Sequence, residues 1–209
     1  MEWNVKELSG SIDSLKFMDF ITATAALCGQ MLNYKTIADA AGIDQITAKN
    51  WLGILERLCL VFYLQHYSNN MLKRMVTKPK LYFYDCRLVE YLTKWSNSDT
   101  LMNGAMSGAI LENFVVSEII KSYQICGWEA YIYYYRDKGT KEIEILLEDS
   151  GKLSPMEIKK TATPQKQLTR LFGVIDKATL ERGTGAVLCT TDRLSAFDSQ
   201  NLIVPIWGI

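Results

Sequence analysis

The stretch Glu142-Ile143-Glu144-Ile145-Leu146-Leu147-Glu148-Asp149-Ser150-Gly151-Lys152-Leu153-Ser154-Pro155-Met156-Glu157-Ile158-Lys159 decides how the second half of this chain is read. Two strand-like runs, Glu142 to Glu148 and Leu153 to Lys159, flank the turn Glu148-Asp149-Ser150-Gly151, which is the pattern of a hairpin. Side chains two apart on a strand point the same way. Glu142 and Glu144 therefore share one face, with Ile143, Ile145 and Leu147 opposite. Glu157 and Lys159 likewise emerge side by side, with Met156 and Ile158 on the other face. Paired across the turn, the strands bring Glu144 and Glu157 together beside an ammonium group.

Upstream, a helix from Ala109 to Tyr123 shows a buried face in Ile110, Leu111, Phe114, Val115, Ile119 and Ile120. Glu112 is embedded in it and approaches the hairpin acids from the side. A strand from Glu129 to Arg136 comes between helix and hairpin in the chain. A helix from about Pro164 to Asp176 follows the hairpin, and strands Gly185 to Thr190 and Asn201 to Trp207 close the sequence.

Converging carboxylates with one lysine suit magnesium-assisted phosphodiester hydrolysis. Mg2+ takes oxygen ligands, keeps several waters, stabilises charge on phosphate and acidifies a bound water. A lysine beside it orients or deprotonates that water, or neutralises the pentavalent state. On this reading Glu112, Glu144, Glu157 and Lys159 are the catalytic group, and Glu144 and Glu157 the metal ligands. The competing reading is a solvated salt-bridge face, which a lone E-x-K on an edge strand commonly is.

The first half is built differently. Apolar residues at helical spacing run from about Ile12 to Leu27, with Ser11 or Asp13 as cap and Gly29 as terminator. The segment from Asn33 to about Leu58 then reads as helix, tight turn at Gly42, helix. Ala38 is small enough to let the helices approach, and Ile43, Ala48, Trp51, Leu52 and Leu55 face a core. Strand-like segments Cys59 to Tyr67 and Lys80 to Tyr84 look like a wing, and Asp85 to Trp95 like another helix. The polar stretch Ser96 to Gly104 marks the boundary between a module of residues 1–100 and one of residues 101–209. In a winged-helix module, Gln45, Thr47, Lys49 and Asn50 reach a DNA groove, while Lys73, Arg74, Lys78 and Lys80 meet phosphates.

Composition sets limits. Lysine plus arginine (23) equals aspartate plus glutamate (23), which argues against a protein that grips nucleic acid with its whole surface. The single histidine, His66, disfavours a histidine-based zinc site or a nucleophile–histidine arrangement, and its place at a strand end suits a structural role. The five cysteines, Cys28, Cys59, Cys86, Cys126 and Cys189, form no C-x-x-C pair and read as buried free thiols. No apolar run is long enough to span a membrane and the N-terminus lacks a secretory pattern, so a cytoplasmic protein without membrane partners is expected.

The chain also resembles a known pattern. The residues that carry it are Gly108 to Glu118, Tyr133 to Arg136, Lys141 to Glu144 and Pro155 to Lys159. Upstream they include Leu32-Asn33-Tyr34, Trp51 to Glu56, and Asn70 through Lys73-Arg74 to Lys78-Pro79-Lys80-Leu81-Tyr82-Phe83-Tyr84-Asp85. These are similar to an uncharacterised domain of bacteria and archaea that usually follows an AAA-type P-loop ATPase module. The resemblance implies an α+β or α/β architecture, with a winged-helix segment followed by a mixed sheet flanked by helices, as in PD-(D/E)xK nucleases. By position it makes Glu112 the helix acid, Glu144 the first strand acid, and Glu157 with Lys159 the E-x-K pair, with Gln165 or Gln167 on the following helix. The pattern has aspartate where this chain has Glu144, and the extra methylene moves the carboxylate by roughly 1–1.5 Å.

No G-x-x-x-x-G-K-[ST] occurs in the sequence, so a phosphate-cradling loop would have to come from elsewhere. The resemblance is already under way near Val5-Lys6-Glu7-Leu8, and the expectation is a C-terminal fragment serving an ATPase module of the same or another chain. Three functions follow: a nucleic-acid-binding or regulatory module with a nuclease-like fold, an active magnesium-dependent endonuclease, and a protein-interaction module without catalysis.

Overall fold

The computed structural model describes residues 13–70, 75–95, 104–137 and 141–209. Contacts divide the chain into two units, Met1–Tyr63 with Leu81–Ile110, and Leu64–Lys80 with Leu111–Ile209.

The first unit is helical. Helix α1 spans Ser14–Ala26, α2 Tyr34–Ala41 and α3 Gln45–Arg57. Each starts at a side-chain cap: Asp13, Asn33 and Asp44 accept hydrogen bonds from the second and third helical amides that follow them, which satisfies donors no helical carbonyl can reach. Gly42 adopts φ 61° and ends α2 in the left-handed conformation that glycine tolerates best. Phe20, Ile37, Leu52 and Leu55 are among the core side chains, Ile43 packs partly against them, and Ala38 and Ala48 leave room for the helices to approach. The Phe17 and Phe20 rings both meet Trp51 edge-on at 5.3 Å, a favoured aromatic geometry. Strand β1 (Val61–His66) and strand β2 (Lys80–Phe83) follow, then α4 (Cys86–Leu92) capped by Asp85. Asn33→Ala removes one cap without touching the core. It is expected to cost about 1 kcal/mol in urea unfolding, and a loss below a few tenths would contradict the capping role.

The second unit is a mixed sheet. Helix α5 (Ser107–Ile125), from Leu111 onward, leads into β3 (Ile132–Arg136), β4 (Glu142–Asp149) and β5 (Lys152–Lys159). Short strand β6 (Glu181–Arg182), β7 (Gly185–Cys189), β8 (Ser195–Asp198) and β9 (Asn201–Pro205) complete it. The order is β1-β3-β4-β5-β7-β9-β8, with β6 beside β5. β3, β4 and β5 are antiparallel neighbours, while β5, β7 and β9 run parallel. The β4–β5 turn has Ser150 at φ 49° and Gly151 at φ 77°, the two positive dihedrals of the tight turn whose twist suits a hairpin. Tyr67, Ile143, Leu146, Leu153, Phe172 and Ile175 form a core of this unit.

Four expectations are corrected. The segment from Leu64 to Lys80 groups with the second unit rather than with the rest of residues 1–100: Gln65 and His66 pair in parallel with Tyr133 and Tyr134. Local alternation shows that a strand forms but not which sheet receives it. The helix expected from Pro164 to Asp176 is two 3-10 turns, Lys166–Thr169 and Phe172–Lys177; only Phe172 and Ile175 of the latter are buried, too few for an amphipathic helix. β6 and β8 were not anticipated, because their exposed polar character carries little strand signal. Cys59 and Cys126 are exposed rather than buried, although all five cysteines are free.

Candidate functional site

The hairpin register fixes the site. Ile145 pairs with Met156 and Leu147 with Ser154, which brings the end of β4 that carries Glu144 beside the end of β5 that carries Glu157 and Lys159. Ile143 and Leu146 are buried in one core cluster and Ile145 is buried as well, because an irregularity in the β3–β4 register, between Ile143 and Leu146, breaks the strict alternation expected of β4. Glu144 bends toward the end of β5: its Oε2 accepts from the Ile158 amide at 2.5 Å and its Oε1 from Lys159 Nζ at 3.2 Å. Lys159 Nζ also lies 2.9 Å from Glu157 Oε1. One ammonium thus bridges two carboxylates.

A second lysine performs the same task beside it. Lys80 Nζ is 2.8 Å from Glu112 Oε1 and 2.5 Å from Glu142 Oε1, and its side chain is only 6% exposed. Arg136 stands 3.8 Å from the other oxygen of Glu142. Lys80 therefore is not available to phosphate as expected. β2 is buried at all four positions, and a charge heading such a strand needs a buried partner.

Electrostatics follow from this crowding. Burial lifts the Glu144 carboxyl to about 7, with Glu157 and Glu112 adding to the rise against Lys159 and the Ile158 amide. Glu157 is raised too, by burial first, with Lys159 opposing and Glu112 and Glu142 reinforcing. For Lys159 and Lys80 burial favours loss of the proton, but the adjoining glutamates outweigh it and hold both ammonium groups above the ordinary lysine range.

Glu112, Glu144, Glu157 and Lys159 are thus brought into one neighbourhood, joined by Lys80 and Glu142. They do not, as arranged, make a magnesium ligand set. Lys159 occupies the space between the two expected ligands, and Lys80 holds Glu112. Among the described residues no group of three His, Cys, Asp or Glu side chains is placed to hold a metal ion. Beside Lys159 opens a cleft of about 240 Å³ lined by Lys160, Thr161, Thr163, Gln165 and Gln167 among others. Gln167 Nε2 donates to Gln165 Oε1 at 2.9 Å, so the two glutamines face each other at the cleft rather than standing on an α-helix.

In the first unit Gln45, Lys49 and Asn50 are exposed on α3. Thr47 turns back instead, its hydroxyl donating to Asp44 Oδ2 at 2.6 Å. Lys78 is exposed, and its carbonyl accepts from the Tyr134 hydroxyl. Lys73 and Arg74 lie outside the described residues. His66 Nε2 sits 3.1 Å from the Arg136 carbonyl, a structural contact within the second unit.

Comparisons with known proteins match each half of the chain to a different family model. Residues 1–99 match the model described as Domain of unknown function (DUF8612), and residues 107–209 match Domain of unknown function (DUF4143). The latter is often found C-terminal to AAA ATPase modules. The chain is 25% identical over 176 residues to Uncharacterized protein Mb2031c of Mycobacterium bovis (strain ATCC BAA-935 / AF2122/97), and equally to Uncharacterized protein Rv2008c of Mycobacterium tuberculosis (strain ATCC 25618 / H37Rv). These matches cover 84% of this chain but only 39% of each relative. No solved structure matches. Among the described residues no helix is long and apolar enough to cross a membrane.

Proposed function

We propose that the chain is a nucleic-acid-binding and regulatory module that works with an ATPase module of the same or another chain, and that it pairs a winged-helix-type unit with a unit of PD-(D/E)xK nuclease-like arrangement. The observation that carries this reading is the exposed polar face of α3, where Gln45, Lys49 and Asn50 project from a helix that begins at a tight turn. A helix so placed can enter a major groove. The ATPase link is supported by the family match of residues 107–209 and by relatives more than twice as long as the matched stretch. The glutamate cluster supports the nuclease-like arrangement. Its lysine bridges support a regulatory rather than a hydrolytic role, because each of its four glutamates has an ammonium partner.

The test is fluorescence anisotropy of labelled duplex DNA across a salt series. Lys49→Ala is expected to weaken binding and lower the salt slope by about 1, the loss of one phosphate contact. Absence of salt-sensitive binding would overturn the reading and favour a protein-interaction module.

A magnesium-dependent endonuclease is the second reading, favoured by the convergence of Glu144, Glu157 and Lys159. It requires Lys159 to leave its carboxylates. Incubation of supercoiled and single-stranded DNA with magnesium or manganese decides: cleavage abolished in both Glu157→Ala and Lys159→Ala would replace the regulatory reading.

A further inference from the structure

The two family matches meet between residues 99 and 107, yet the second compact unit takes in Leu64–Lys80 from within the first match. The attachment is polar and specific. The Tyr67 amide donates to the Tyr134 carbonyl at 2.7 Å, the Tyr134 hydroxyl donates to the Lys78 carbonyl at 2.6 Å, and the Thr179 amide donates to Asn69 Oδ1 at 3.3 Å. The segment ends at Lys80, whose ammonium enters the glutamate cluster between α5 and β4.

We propose that the site is composite: Lys80, supplied from outside the stretch that matches the second family, is the positioning residue that holds Glu112 of α5 against Glu142 of β4. The inference concerns how the cluster is built and stands whether or not the chain binds or cleaves nucleic acid. Without this cation, carboxylates of 15% and 25% side-chain exposure would lose the ammonium that lies 2.8 and 2.5 Å from them, and the Arg136 guanidinium stands farther off, 3.8 Å from Glu142. Removing one partner of a buried pair is costly because the other charge stays buried. The groups around Lys80 are Glu112 on α5, Glu142 on β4, and the Tyr134 ring on β3 at 5.8 Å. Glu112 also acts on Glu144 and Glu157, so a displaced Glu112 disturbs the whole cluster.

The full-length chain with Lys80→Met tests this by thermal unfolding at pH 8 and pH 4.5. We expect a melting point lowered by about 10 °C at pH 8, as loss of a buried ion-pair partner implies, and a deficit at least halved at pH 4.5, where unpaired glutamates take up protons. Adding Glu112→Gln and Glu142→Gln should recover at least half of the loss at pH 8, and Lys80→Arg should behave nearly as the unaltered protein. A deficit that is equal at both pH values and unrelieved by the glutamine changes would show that only the packing of the lysine stem matters, and would overturn the proposal. Should Lys80→Met not fold, NMR of the Lys80 ammonium in the unaltered chain gives the answer. Protons retained beyond the ordinary lysine range, and lost at lower pH in Glu112→Gln, support the assignment; an ammonium that titrates identically in both defeats it.

Discussion

Glu144→Gln is expected to stabilise the protein by about 3 kcal/mol at pH 8 and to leave its stability nearly unchanged at pH 4. Lifting a carboxyl from 4.5 to about 7 disfavours its charged form by about 3 kcal/mol. Between those values the folded protein keeps a proton that the unfolded chain has released. Stability therefore falls as pH rises through this window, and the penalty is complete above pH 7. Glutamine removes the charge, and its carbonyl oxygen still accepts from the Ile158 amide, while its NH2 can donate to Glu157. The gain should fade as pH drops through 4.5, below which Glu144 is protonated in both states. Glu157, also raised, remains in the variant and keeps part of the slope. Urea unfolding of both proteins at the two pH values reads the difference directly. Destabilisation at pH 8 would mean that attraction to Lys159 outweighs the burial of Glu144. A stabilising substitution at this position would place the cluster among features that a fold maintains against its own stability, as functional sites commonly are.

Much of this cluster was legible before any coordinates, and the reason is local. A two-residue turn fixes hairpin register next to it, and with it the approach of the strand ends that carry Glu144, Glu157 and Lys159; the irregularity of β4 at Glu144 was not legible. Helix starts were legible for the same reason, because Asp13, Asn33 and Asp44 satisfy amides only two or three residues away. The role of Lys80 was not, since its partners Glu112 and Glu142 lie 32 and 62 positions later in the chain and meet it only through the assembled sheet. The placement of Leu64 to Lys80 was missed likewise. The pairing of Gln65 with Tyr133 depends on which edge is open in the finished sheet, and strand propensity carries no such information. The 3-10 turns after Pro164 fall between these cases: apolar spacing indicated helical turns, but only Phe172 and Ile175 among them are buried.

The layer under β5 gives the second large effect, and it links packing to the site. Phe172 is fully buried in the core of the second unit, and Phe172→Ala is expected to cost about 3–5 kcal/mol through the lost transfer energy and the cavity left behind. Gly185 opens β7 directly against that ring. A Cβ there would come within 2.7 and 2.9 Å of Phe172 Cδ2 and Cε2 and within 2.8 Å of Asn201 Oδ1. Asn201 is not free to yield, because it accepts from Arg182 Nη2 and donates to Asp198 Oδ1. Gly185→Ala alone is therefore expected to cost about 1–3 kcal/mol by overpacking. Combined, the two substitutions should destabilise by less than their sum by about 1 kcal/mol, because deleting the ring removes two of the three close approaches. Strict additivity in urea unfolding would show that the strain falls on Asn201 rather than on the ring. β7 pairs in parallel with β5, with Val187 opposite Glu157 and Cys189 opposite Lys159. A β7 pushed outward at Gly185 must therefore carry the end of β5 with it, loosening the bridge from Lys159 to Glu144. Gly185→Ala should accordingly enlarge the pH-dependent loss of stability that Glu144 imposes, because Lys159 opposes the rise of that carboxyl, a result that a purely local clash would not produce.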